Sequence, residues 1–358
     1  MITTYTFHGT GQHLLLNKNH IDTNNNVTIY LSGKFASITF FHLGNVVNSI
    51  QVLPAKNETV KAYKLTSYQC NNLKISGLGR MQISGTTREA NANPYQPIVL
   101  IDGNNCSIEG VRVCSVENSN NWSPDTWKKL ARNGIQLSGY SCFARYNDVF
   151  NIRNGIEVRC QHGKAIGNNV SHFYGDGMRA LADYVTLANN HISYSRDSGS
   201  DRIHSDGIQM WNFFAQTPTE GTLTGVSVLY NSIWNNSDKK DSRLMQGIGC
   251  FDGLMRDAKV IGNVVMTDHH HGITLGIAQN SRIEENSVIS TNPEKVQSWI
   301  KIGTNKTTDF ISTGNVLAFN ESAQYIFEPG MVEQNFANNT LEHNNIADHQ
   351  QYEETRIA

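Results

Sequence analysis

Residues 133–178 read NGIQLSGYSCFARYNDVFNIRNGIEVRCQHGKAIGNNVSHFYGDGM. The segment repeats a unit. Asn133-Gly134-Ile135 is matched by Asn154-Gly155-Ile156 and then by Asp176-Gly177-Met178. Between these corners, Asn147 and Asn168 stand two residues before Val149 and Val170. The runs between them are aliphatic and β-branched with an alternation of period two, as strands require. One strand, a turn and a second strand in 21 residues, the step from Asn147 to Asn168, make one coil of a solenoid.

Both patterns extend outward from this segment. Asparagine recurs at Asn190, Asn231, Asn263, Asn286 and Asn315, each two residues before Ile192, Ile233, Val265, Val288 and Leu317. The corner recurs as Asp206-Gly207-Ile208, Gln246-Gly247-Ile248 and His271-Gly272-Ile273, and Trp299-Ile300-Lys301-Ile302 continues it without the glycine. Asparagine tolerates the left-handed backbone of a tight corner. Stacked copies can pass amide hydrogen bonds between coils about 4.8 Å apart. The seven asparagines are therefore expected to be structural.

Coils are expected over residues 66–345. Residues 1–65 lack both ladders and read as a small N-terminal β cap; residues 346–358 read as a polar tail. The net charge of -2 gives no nucleic-acid footprint, and no apolar run reaches membrane-spanning length. Met1 to His8 lack a basic region and an apolar core, so no signal peptide is read there. The six cysteines have no metal-ligand spacing and are expected as buried, reduced thiols. No metal and no cofactor are expected.

Insertions crowd one strand column. They precede Asp206 and Gln246 and run from about Phe213 to Thr224, and Ser123 to Leu130 reads as a capped short helix just before Asn133. Loops raised around one face of a rigid scaffold make a groove. In that column the residue after each inward apolar side chain points out: Gln136, Glu157, Arg179, Gln209, Gly249, Thr274 and Lys301. Two positions on come Ser138, Arg159, Leu181, Trp211, Phe251 and Gly276. Aromatic rings beside polar groups suit sugars, and Gly249 is expected to leave room for a substrate ring.

Glycoside hydrolysis needs two carboxyls. Asp206 is the first candidate, with Asp201, Asp176 or Glu157 as partner and Asp252 as a further choice. Elimination from a uronate needs a base, for which His204, His271 or Lys301 would serve, and a cation against the sugar carboxylate, for which Arg179, Arg159 or Lys301 would serve. Residue types do not choose between the two. Each candidate also has a plainer role: Asp176 and Asp206 as turn formers, His204 and His271 as braces, Arg179 and Lys301 as solvated charges.

Coil length, stacked asparagines and inserted loops resemble the right-handed parallel β-helix of pectate-lyase-like proteins. The motif order is similar to that of polygalacturonase-type glycosidases: Asp206, His271 and Lys301 fit it, while Gln246 and Gly247 stand where that family has an Asp-Asp pair. The resemblance extends to phage tailspike-type depolymerases. It implies an all-β fold and cleavage of a polysaccharide in a groove along one face, with hydrolysis ahead of elimination. The alternative is a non-catalytic glycan-binding or phage tail structural protein. It further implies an extracellular or virion-associated setting, and a homotrimer as the assembly to look for.

Overall fold

Alternating inward apolar and outward polar residues commit each short run to a strand, and no run is long enough to pair with itself. The chain buries its apolar side chains by winding, so that successive strands pair in parallel with the next coil. The computed structural model describes residues 2–44, 47–85, 93, 95–196, 204–216, 221–235, 245–303, 312–326, 336–337 and 340–341. The fold is a right-handed parallel β-helix, whose coils group into two compact units, Met1–Tyr174 and Gly175–Ala358.

In the first unit one parallel column runs through His13–Asn17, Ser37–Phe41, Leu65–Asn71, Pro97–Asn104, Asn133–Tyr140 and Ile156–Val158. Its inward stack of Ile38, Leu65, Val99, Ile135 and Ile156 is fully buried. In the second unit the corresponding column runs through Met178–Ala180, Ser205–Met210, Met245–Cys250, His271–Leu275 and Trp299–Ile302. Met178, Ile208, Ile248, Ile273 and Ile300 form its inward stack. Each such side chain contributes about 1.5–3 kcal/mol by leaving water.

The strands closing each coil carry the asparagine ladder. Asn147 donates to Asn168 Oδ1 in the first unit. In the second, Asn190 donates to Asn231, Asn231 to Asn263, and Asn263 to Asn286. The next rung differs from expectation: Asn286 donates to Asn320 Oδ1 at 2.9 Å, and Asn315 sits on a neighbouring row, accepting from the Ser281 backbone N–H. Asn320 escapes the pattern because Ser322, not an aliphatic residue, follows it at the marker position. The backbone also corrects the corner chemistry. The left-handed residue is the one before each rung, as at Tyr146 (φ 52), Tyr230 (φ 54), Gly262 (φ 65) and Glu285 (φ 55). That residue turns the chain, and the following asparagine then points inward to its buried partners.

Strands before residue 65 pair in parallel as the later ones do. Ile2–Thr10 already pairs in parallel with Asn26–Phe35, and Asn26–Phe35 with Ile50–Pro54 and Val60–Ala62. These strands wind without the asparagine ladder, because apolar alternation alone suffices to pair them. The expected tail, 346–358, lies outside the described residues. The short helix Pro124–Leu130 forms as read, with Ser123 as its N-cap accepting from the Thr126 N–H. All six cysteines are free and buried; burial pushes the Cys250 thiol up to about 12.

Candidate active site

The corner glycines show how the two strand types interlock. A Cβ on Gly247 would strike the Gly272 carbonyl and the Val265 side chain, and one on Gly272 would strike Val288. Val265 and Val288 are the residues two past ladder asparagines Asn263 and Asn286. Glycine is required because the facing strand fills that space. The polar residue before each glycine is thereby held at the strand start, with its side chain on the outer face. Bonds across three positions show this: Asn154 Nδ2 to Glu157 Oε1, Arg179 Nε to Asp176 Oδ2, and His271 Nδ1 with Thr274 Oγ1.

In the second unit the column is in register from Arg179 through Gln209, Gly249 and Thr274 to Lys301. Its acidic end is buried. Asp176 accepts from Arg179 at 2.6 Å and from the Asp206 backbone N–H at 3.0 Å. Asp206 is only 1% exposed, and neither of its carboxyl oxygens has a hydrogen-bond partner among the described residues. Burial holds its pKa well above the ordinary carboxylate value, the Asp176 and Asp252 charges push it the same way, and Arg179 opposes them. Asp206 is therefore biased toward its protonated form, packed beside the ion-paired Asp176 carboxylate.

At the acidic end the Arg179 guanidinium lies 5.0 Å over the Trp211 ring. The other end of the column is aromatic and basic. His271 packs edge-on to Phe251 at 4.9 Å and to Trp299 at 5.0 Å, and stacks on His269 at 5.1 Å. The Lys301 Nζ sits 5.7 Å over Trp299, and the Trp299 indole N–H donates to Thr274 Oγ1. Burial, the His269 ring and the Lys301 ammonium lower the His271 pKa to about 4. His271 is consequently a neutral imidazole at pH 7, half-buried, with Nδ1 hydrogen-bonded to Thr274 Oγ1.

The expected vacancy over Gly249 is filled. The Phe251 ring folds back across that glycine and occupies the space a Cβ would take. Leu181, expected to point outward, is fully buried, because the strand Met178–Ala180 ends before it. His204 is exposed at the start of Ser205–Met210, close enough for its charge to act on His271 and His269. Asp201 lies outside the described residues.

In the first unit, Glu157 is fully buried, accepting from Arg159 at 2.8 Å and from Asn154. Gln136 pairs with Glu157 in register. The second unit thus brings together Asp176, Arg179, Asp206, Gln209, Trp211, Phe251, His271 and Lys301 on one face, while Glu157 and Arg159 form a local pair in the first. Trp299 went unread as a site residue. Its place at the corner, in register with His271, was the available signal.

No protein-family model matches the chain, and no curated protein matches it by sequence. Among solved structures, the Dettilon tailspike protein matches with a TM-score of 0.58 at 15% identity, over 90% of this chain and 60% of that one. The chain thus spans about 60% of the tailspike's length. The A-module of the mannuronan C-5 epimerase AlgE6 of Azotobacter vinelandii matches with a TM-score of 0.51 at 11% identity, over 88% of this chain and 90% of that module. At such identities the likeness is one of fold.

Proposed function

We propose that the outer face of the second unit binds a polyuronate and cleaves it by β-elimination. The observation that carries this is the neutral, half-buried His271 beside the Lys301 ammonium on a wall of Trp299 and Phe251, while the carboxyls of Asp176 and Asp206 are buried. Elimination needs a base and a cation at the surface, and both are there. Hydrolysis needs two carboxyls that reach the scissile bond, and here both are covered.

In the proposed step the sugar carboxylate is held by Lys301, which makes the proton at C5 more acidic. His271 Nε2 takes that proton. The electron pair forms the C4=C5 double bond, the C4–O bond breaks, and the departing oxygen takes up a proton from solvent water while the His271 imidazolium returns its proton to solvent. Trp299 and Trp211 offer apolar surface to the ring faces. The mannuronan epimerase module that shares the fold is named for action on a polyuronate, the same substrate class.

Hydrolysis is the second reading. It is favoured by Asp206, a carboxyl whose pKa burial raises and which has no hydrogen-bond partner among the described residues, as suits a general acid; it demands that the side chain be uncovered. The test is incubation with polygalacturonate and with alginate. Rising ultraviolet absorbance of an unsaturated uronate supports elimination. New reducing ends without that rise would replace it by hydrolysis. Neither, across both polymers and a panel of neutral glycans, would leave a non-catalytic binding protein.

A further inference from the structure

The first unit carries a separate cluster of positive charge. In the pairing of Asn26–Phe35 with Val60–Ala62, Lys34 stands directly opposite Lys61, and Lys61 stands opposite Gln82 on the next coil. Like charges facing each other on adjacent strands are destabilising. Neither lysine takes part in an ion pair among the described residues, whereas Arg112, further along the same column, is neutralised by Asp148 at 3.2 Å. The Lys34 head is not free to wander: its Nζ sits 5.2 Å over the Tyr63 ring, which offsets part of the rotamer entropy a surface lysine would otherwise keep.

The two ammonium groups border a groove of 180 Å³ lined by Lys34, Lys61, Tyr63, Gln82, Ser84 and Glu117. This is small beside the roughly 300–1,000 Å³ of drug-sized ligand sites, and it suits one sugar ring rather than a chain. The far wall is already ordered. Gln82 Nε2 donates to both Ser84 Oγ and Glu117 Oε1, so the Gln82 amide oxygen and the Glu117 carboxylate are left as acceptors for hydroxyl groups. One side of the groove is cationic, the other accepts hydrogen bonds, and an aromatic ring lies between.

The geometry points to a second glycan-binding subsite here, taking a single uronate residue with its carboxylate on Lys34 and Lys61 and its hydroxyls on Gln82 and Glu117. It shares its ligand class with the proposed reaction and lies in the other unit.

The test uses the full chain carrying His271→Ala, so that ligand is bound without turnover, titrated with a galacturonate trimer by calorimetry. Two binding events are expected. In the same background Lys34→Gln with Lys61→Gln should weaken one of them tenfold or more and leave the other unchanged. A single event that the lysine substitutions do not alter would overturn the subsite. A single event that they abolish would support it while counting against the second-unit face as the polymer site. Inorganic sulfate competing as strongly as the trimer would overturn the sugar assignment in favour of a simple anion site.

Discussion

Replacing Asp206 by Asn probes the electrostatics of the second unit most directly. The Asp206 carboxyl is buried without a hydrogen-bond partner among the described residues, and burial together with the Asp176 charge holds its pKa well above the ordinary value. The folded protein keeps a proton there that the unfolded chain releases near the model-peptide pKa of about 3.9. A raised carboxyl pKa therefore contributes stability that is fully present below that unfolded value and is lost as pH rises toward the folded one. The loss follows one proton, about 1.4 kcal/mol per pH unit. Asparagine has nearly the same shape and nothing to release. Urea unfolding of both proteins at about pH 4.5, 5.5 and 6.5 measures the difference. The stability gap should move in favour of Asp206→Asn as pH rises, by up to about 1.4 kcal/mol per unit until the folded pKa is reached. Parallel pH dependence in the two proteins would refute the assignment of a buried, neutral carboxyl. Cleavage measured on the same preparations separates the two chemistries: activity retained in Asp206→Asn fits proton abstraction by His271, and activity lost fits a general acid.

Four further outcomes are expected. His271→Gln should lower kcat by about 10²–10⁴-fold. The wild-type rate should fall as pH drops through about 4, where His271 takes up its proton; an acidic limb centred near the ordinary histidine value would exclude this residue as the base. Asn263→Ala leaves the buried Asn231 backbone N–H without its acceptor and severs bonds to Asn286 and Val228. It should cost about 3–5 kcal/mol by urea unfolding. Gly247→Ala forces a methyl against the Gly272 carbonyl and Val265, and should cost at least about 1–3 kcal/mol in the same measurement.

The first prediction and the last two draw on different information. That Gly247 and Asn263 lie on stacked corners followed from spacing alone, because a solenoid repeats the same requirement in every coil and so writes it into the chain as a period. The aliphatic stacks, the helix at Pro124–Leu130 and the shared outer face of Arg179, Gln209, Thr274 and Lys301 were readable for the same reason. Register turns distance along the chain into adjacency. Where the period failed, inference failed with it. Asn320 lacks the aliphatic marker and was passed over for Asn315, and residues 2–65 wind without the ladder that marks the later coils.

Side-chain direction and solvent access are another matter. They depend on which neighbours in the adjoining coils fill a given space, and no single coil encodes them. Only the assembled fold buries the Asp206 carboxyl among Asp176, Arg179 and Asp252 and so keeps its proton. Only there does Phe251 close over Gly249, and only there do His269 and Lys301 gather on His271 to keep it neutral. Residue types left hydrolysis and elimination open, because they do not say which carboxyls the neighbouring coils cover; burial of Asp176 and Asp206 is a property of the assembled fold alone.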